Sequence, residues 1–482
     1  MNLLQRTGGI VKVLEKIFWV YLFINPILDI VNGLFISKVL TIGILDVEYV
    51  STLGVTPSLV IRMLFLVVFV LYVLLVRDKY SILTAIPIAL AWVLSIVSEY
   101  RWTGNLSFFI DAQYMARFCY NVVLLMVYTR VFFGRWGMDG RDLIAGLNTV
   151  ATYTLILLAI SILIPAILGI GYNTYADRLG YRGNRGFFYA GNDVTAIMAL
   201  LIPLCIATVL RGREETARMS GKPAFLFLPA LAAALGANAM MVIGSKTAFI
   251  AIIFAGAAIL IFTIVHCIMK KSAIMLKDFA LILLIFLVIF ILLNLVSSLQ
   301  VRKKLIEMGE TVAPFRIMDI FRDSAHIQAI TDSAMATEII AENEGIENAM
   351  LNGRQVKLAE QFAQYRAGGI LVWLFGLGRG SQAVIIEMDL FEVLFYYGIF
   401  GFVAMIWLYV KLAISFFRGL FRKFDITSFA VFIGIGLTVG YLVIAGHVLF
   451  SVTSGFYLAF LLLYSRVYFA ERPEDILLWK QK

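Results

Sequence analysis

Arg178, Arg182 and Arg185 stand at i, i+4 and i+7, directly ahead of the run Gly186-Phe187-Phe188-Tyr189-Ala190-Gly191-Asn192-Asp193. On a helix this spacing puts three guanidiniums on one face. A guanidinium is always charged and donates paired N–H bonds, which suits a diphosphate. Gly183 and Gly186 supply breaks through which backbone amides could approach an anion. Asn192 or Asp193 is the expected cap of the next helix. The competing readings of this cluster are contact with anionic lipid and a topological signal.

Other ionisable groups lie in or at the ends of long apolar runs. They are Asp29, flanked by Asn25 and Asn32, then Arg62, Arg117, Lys246, Glu387, Asp389 and His447. A charge at the centre of a bilayer costs about 2.5–3.5 kcal/mol on insertion scales and usually lines a functional cavity. The plainer reading for any one of them is snorkelling or structural pairing, for instance Asp29 with Arg62.

The elements that must carry these groups follow from composition. Of 482 residues, 61% are hydrophobic and only 15% charged, with 38 phenylalanines, and the mean hydropathy is +0.92. Soluble domains are nearer half apolar and a quarter charged. The apolar residues come in blocks of about 18–25, the length a helix needs to cross a bilayer. An open sheet cannot span lipid, and a β-barrel would show short alternating segments instead of solid runs. The fold class expected is an all-α integral membrane protein of about twelve helices with a large extracytoplasmic loop. The spans fall at roughly 17–36, 58–76, 81–99, 114–133, 143–168, 192–210, 225–243, 247–268, 278–297, 389–413, 427–446 and 448–467. The seventh and eighth meet in a tight hairpin at Gly244-Ser245-Lys246, and the last two meet at His447. Four regions result: 1–297 with nine spans, the loop 298–388, three spans in 389–468, and a tail 469–482. Cys119, Cys205 and Cys267 all lie inside apolar runs and read as small buried residues, not as a disulfide framework or metal site. No cleavable signal peptide is expected, because the first run is long enough to span.

The net charge is +9, and its placement matters more than its sum. With the N-terminus inside, every inner segment is basic, from Arg6, Lys12 and Lys16 to Arg466, Arg472, Lys480 and Lys482. The short outer loops are poorer in Lys and Arg, so both termini are predicted cytoplasmic. In that orientation the intramembrane charges gather in the outer third and imply a polar cavity open to the outer face. The loop 298–388 has amphipathic helical patterns at 331–347 and 352–366. Gly368-Gly369 and the GLGRG run at 376–380 interrupt them. GLGRG opens no βαβ unit, and neither a Walker sequence nor a tandem repeat is seen.

Several stretches together resemble the O-antigen ligase and polymerase superfamily. They are RGNRGFFYAGNDVTAIMALLIPL, GSKTAFIA, NGRQVKLAEQF, LFGLGRGSQAVIIEMDLFEVLFYYGIFGF and AGHVLFSVTSGFYLAF, with NPILD in the first span. The first is similar to an Arg, Gly-Phe, Asn pattern entering a span. The second resembles a Ser-Arg-Thr element, with Lys246 where Arg is commoner. The fourth is similar to the polymerase branch's Gly-x-Gly, Glu-x-Asp and Tyr-Gly-x-x-Gly run. His326, in the context DSAHIQAI, lies in the large loop, where the ligase branch carries a functional histidine.

The resemblance implies a bacterial inner-membrane glycosyltransferase acting on undecaprenyl-diphosphate sugars, with the polymerase branch favoured. The donor is then a glycan on undecaprenyl diphosphate, and the acceptor a hydroxyl of another lipid-linked repeat unit. Arg178, Arg182, Arg185, Lys246 and Arg354 would hold the diphosphate. Glu387 or Asp389, with His447 as a second candidate, would serve as base or bind sugar hydroxyls. Asp29, Arg62, Arg117, Asn192, His326 and Arg379 are further cavity candidates. No cofactor, metal or nucleic acid is implied; a flippase and a chain-length regulator are the protein partners. The rival readings are a ligase with a different acceptor, a transporter or lipid-linked oligosaccharide flippase, and a scaffold. A transporter would place its charges near the midplane within repeat-related halves.

Overall fold

The structure is a computed structural model that describes residues 3–36, 56–136, 140–169, 171–175, 182–188, 190–220, 226–270, 272–308, 354–382, 385–444, 446 and 448–479. Its helices are α1 (Leu3–Ile36), α2 (Pro57–Val76), α3 (Lys79–Thr103), α4 (Phe108–Trp136), α5 (Gly140–Leu168), α6 (Gly191–Ser220), α7 (Phe227–Ile243), α8 (Lys246–Lys270), α9 (Ile274–Met308), α10 (Arg354–Ala367), α11 (Gly369–Phe375), α12 (Asp389–Arg422), α13 (Ile426–Ile444) and α14 (Ser454–Phe469). Ten are long and apolar enough to cross a membrane, while α7 and α14 are shorter apolar helices. These twelve occupy the positions of the predicted spans. The chain is an all-α multi-pass membrane protein.

Burial sorts the helices by depth. In α6 the most apolar window is 89% buried, against 6% in α9. The outer helices turn Leu, Ile, Val and Phe outward, for example Leu64, Val67, Leu284 and Ile291. Lipid gives apolar side chains no reason to hide, so contact between helices depends on close packing. The sequence supplies that in α7, where Ala230, Ala232, Ala233, Ala234, Gly236 and Ala237 are buried. A Cβ on Gly236 would come within 2.6 Å of Leu155 on α5.

The tight hairpin is present. Gly244 ends α7 in left-handed backbone, and Ser245 Oγ accepts the Ala248 N–H at 3.2 Å to start α8. The last two predicted spans do not abut at His447. Helix α13 stops at Ile444 and α14 begins only at Ser454. Described residues between them form an unwound segment. Non-helical backbone at membrane depth survives where protein groups bond it, and here Asp389 and Asn121 do so. The tail is likewise folded in: Arg466 donates to the carbonyls of Asp475 at 2.6 Å, Ile476 at 2.9 Å and Leu477 at 2.6 Å.

Candidate functional site

Two of the predicted cavity residues prove to be each other's partners. Arg62 on α2 is fully buried, and Asp29 on α1 is 7% exposed. Arg62 donates Nη1 and Nη2 to the two carboxylate oxygens of Asp29, both at 2.8 Å. It also donates to Asn25 Oδ1 and to Thr453 Oγ1, and Thr453 Oγ1 in turn donates to Asp29 Oδ1 at 2.8 Å. A guanidinium with this many acceptors is a structural clamp between α1, α2 and the segment before α14.

Arg182 and Arg185 do not share the helical face expected of them. Arg182 lies in strand β2 (Arg182–Asn184), which pairs antiparallel with β1 (Asn173–Tyr175) through Asn173↔Asn184 and Tyr175↔Arg182. Arg178 lies outside the described residues. Gly183 and Gly186 both have positive φ, which breaks any helix. They also permit close packing, not an open anion nest. A Cβ on Gly183 would sit 2.2 Å from the Ile243 carbonyl oxygen, and one on Gly186 2.2 Å from that of Ser161. The Gly186 N–H is taken by Asn184 Oδ1 at 2.7 Å. Arg185 packs over the Tyr172 ring at 5.5 Å, near the start of α6. Asn192 and Asp193 fall inside the first turn of α6, which begins at Gly191. Lys246 is exposed at the first residue of α8.

The GLGRG run and the YYGIFG run interlock. Helix α12 is broken at Gly398, whose φ is 67°. The break frees the carbonyls of Phe395 and Tyr396, and these accept the N–H groups of Leu377 at 2.8 Å and Gly378 at 3.0 Å. On the other side the run rests on two buried carboxylates, Glu99 of α3 and Asp111 of α4. Asp111 accepts the Arg379 N–H at 3.1 Å and the Gly380 N–H at 3.0 Å. A Cβ on Gly380 would fall 2.5 Å from Asp111 Oδ2 and 3.0 Å from Glu99 Oε1, so only glycine fits. This seat fixes Arg379. Its guanidinium carbon lies 5.3 Å from the Tyr114 ring centre and 5.7 Å from that of Tyr396, with Nη1 bonded to the Gln382 carbonyl at 2.7 Å. Arg117, one turn beyond Tyr114 on α4, comes within electrostatic reach of Arg379 and of Asp193 on α6.

Tyr114 also hydrogen-bonds Glu392, which is buried on α12. Glu392 Oε1 accepts the Glu387 N–H at 2.8 Å. Glu387 itself has φ of 62°, one of two non-glycine residues in left-handed backbone among those described. Its carboxylate is 33% exposed and takes Arg354 Nη2 at 2.8 Å, with Lys357 Nζ at 3.7 Å. Strain at a non-glycine residue is the kind of cost that clusters at working sites. Asp389 points the other way. It is buried, and its Oδ2 accepts the N–H groups of Val448 at 2.6 Å and Leu449 at 2.7 Å. From the far side Asn121 Nδ2 donates to the Leu449 and Ser451 carbonyls, each at 3.0 Å. These bonds hold the unwound segment. His447 and His326 lie outside the described residues.

One end of the bundle therefore carries a chain of linked groups: Arg354, Lys357, Glu387, Glu392, Tyr114, Arg379, Arg117 and Asp193. Sequence reasoning passed over Glu99, Asp111, Tyr114, Lys357 and Glu392. Glu392 had a visible signal, since it follows Glu387 and Asp389 in one short run. Glu99 and Asp111 sit at span edges, where a charge usually needs no explanation.

A model of the family described as O-antigen ligase like membrane protein matches residues 12–472. Neither the curated proteins nor the solved structures contain a match. The family match takes in every spanning helix, the GLGRG and YYGIFG runs and the whole chain of linked charges. The chain belongs to the O-antigen ligase-like family of membrane proteins.

Proposed function

We propose that the protein is a bacterial inner-membrane glycosyltransferase that polymerises a surface polysaccharide. It works with both termini in the cytoplasm and the site facing outward. The donor is a glycan on undecaprenyl diphosphate, and the acceptor is a hydroxyl of another lipid-linked repeat unit. A flippase supplies both, and a chain-length regulator limits the product. The observation that carries this reading is Glu387: a strained, partly exposed carboxylate, held between Arg354 and Lys357 at the mouth of the charged chain.

Glu387 takes the proton of the acceptor hydroxyl as its oxygen attacks the anomeric carbon. The bond from that carbon to the diphosphate oxygen breaks, and the diphosphate leaves with the electron pair. Arg182, Arg185 and Lys246 stabilise the leaving charge. Arg354 turns from Glu387 toward the diphosphate when donor binds, which frees the carboxylate to act as base. Asp389 acts through main chain, by holding the N–H groups of Val448 and Leu449.

The test is purified protein in lipid with a defined undecaprenyl-diphosphate repeat unit. The expected products are a ladder of longer lipid-linked glycans, lost in Glu387→Gln. Transfer only to a different acceptor would identify a ligase instead. No transfer by well-folded protein to any glycan acceptor would overturn the proposal.

A further inference from the structure

Lys411 is a cation that loop charge does not account for. It stands three turns before the end of α12 at Arg422, about 16 Å along the helix axis. An ionisable group at that depth usually serves a site. Its Nζ donates to the Leu478 carbonyl at 2.7 Å and lies 2.9 Å from the centre of the Trp479 ring. No carboxylate pairs with it among the described residues. Arg418 follows at i+7 on the same face of α12. It is exposed, and it too has no carboxylate partner among the described residues. Both side chains line a cavity of about 1080 Å³ between α12, the end of α14 and the tail. This cavity lies at the end of the bundle opposite Glu387.

The tail is a wall of this cavity and not its occupant, because its carbonyls are bonded to Arg466 and Lys411. The rings of Trp407 and Trp479, with centres 5.4 Å apart, complete that wall. Tryptophan is the side chain favoured where a bilayer meets water. Val410, Ile414 and Phe421 also line the cavity and are 48%, 47% and 85% exposed. The cavity therefore opens along the apolar flank of α12, toward lipid. The other charges that line it are accounted for. Arg422 pairs with Glu471 at 3.3 Å. Arg466 is bonded to the tail, with Asp475 in electrostatic reach. Glu474 is exposed, so water and salt screen it. Lys411 and Arg418 are left as a positive strip between an aromatic wall and the bilayer.

We propose that this cavity binds one anionic glycerophospholipid from the adjacent leaflet. Arg418 holds the phosphodiester, and an acyl chain lies along Val410 and Ile414. Lys411, about 10 Å deeper on the same face, makes the lower wall positive. A basic pocket between spanning helices on the inner side is the kind of place that selects anionic headgroups. In the orientation proposed above, this end meets the cytoplasmic leaflet. The lipid fills the space between α12 and the folded-back tail, so it ties the tail to the bundle. This inference goes beyond the transferase reading and does not depend on it.

The experiment titrates phosphatidylglycerol, phosphatidylcholine and glycerol 3-phosphate into the delipidated full chain in detergent. Native mass spectrometry counts bound lipid, and thermal unfolding reads the stabilisation. Wild type is compared with Arg418→Gln, Lys411→Gln and Lys270→Gln, the last removing an exposed basic residue at the end of α8. Wild type is expected to bind one phosphatidylglycerol at least about ten-fold more tightly than phosphatidylcholine, the worth of one charge-assisted bond. Arg418→Gln should lose that preference and melt like wild type when no lipid is added. Lys411→Gln should weaken phosphatidylglycerol binding as well; because it also loses the Leu478 bond, it is read by the lipid-induced shift and not by its starting temperature. Lys270→Gln should keep the full preference. Equal binding of the two lipids by wild type overturns the proposal. So does an equal loss in Lys270→Gln and Arg418→Gln, which would show a diffuse basic surface. A shift with glycerol 3-phosphate as large as that with phosphatidylglycerol overturns the lipid assignment in favour of a free-anion site. None of these results bears on transfer at Glu387, which is measured separately.

Discussion

Single residues at this site divide into those that are satisfied and those that are poised. Arg62 is of the first kind, with every visible donor directed at Asp29, Asn25 or Thr453. Breaking a buried pair by removing one partner costs about 3–5 kcal/mol, whereas replacing both by apolar groups is far milder. Arg62→Met is therefore expected to lower the thermal unfolding temperature sharply, and Asp29→Leu with Arg62→Met to restore most of it. Glu387 is of the second kind, partly exposed and in left-handed backbone. Glu387→Gln should lower the rate of transfer by about 10²–10⁴-fold, the usual worth of a general base, with little change in melting temperature. Measuring both on one preparation separates a chemical loss from a folding loss.

The working elements here are the places where helices break. A continuous α12 would consume its own carbonyls; the break at Gly398 hands those of Phe395 and Tyr396 to the GLGRG run. A Cβ on Gly398 would lie 2.4 Å from the Leu374 carbonyl group. Left-handed backbone on a non-glycine residue adds roughly 1–3 kcal/mol. Gly398→Ala is expected to destabilise the protein by at least that amount and to reduce transfer, read by thermal unfolding and glycan ladders. The unwound segment before α14 depends on one carboxylate in the same way. Asp389→Ala leaves the Val448 and Leu449 N–H groups without their acceptor, at about 1–3 kcal/mol for a buried group. Asp389→Asn keeps an acceptor oxygen and should recover part of the melting temperature and of the transfer activity together, whereas loss of a catalytic base would leave transfer unrecovered.

Across the whole molecule, alternation of helix ends brings Arg185, Lys246, Arg354 and Glu387 to one end of the bundle and Arg422 to the other. In the orientation proposed above, the first end faces outward. A Lys246→Cys variant should then react with a membrane-impermeant thiol reagent on intact spheroplasts, and Arg422→Cys only after lysis. The native thiols leave this readout clean, because Cys205 is buried and Cys119 and Cys267 are half-buried within helices. Reaction of the Arg422→Cys variant on intact cells would reverse the orientation and place the site in the cytoplasm.

The spanning helices were legible in the sequence because the bilayer imposes length and apolarity locally, one segment at a time. The 352–366 helix and the breaks at Gly368-Gly369 and GLGRG were legible for a similar reason, since periodicity and glycine act over a few residues. The pairing of Asp29 with Arg62 could be named as one option, since both were costly alone. The spacing of Arg182 and Arg185 suggests a helical face, because spacing cannot tell a helix from a strand whose flanking glycines pack against the carbonyls of Ile243 and Ser161. Which acidic residue faces Arg354 was likewise beyond the sequence. Glu387 and Asp389 differ by two positions, and only the bend of the chain sends one to Arg354 and the other to Val448 and Leu449. Residue type decided that charge would collect at one end of the bundle. Contacts between residues more than 200 positions apart, such as Asp111 with Arg379, decided which of those charges are neutralised and which wait for a ligand.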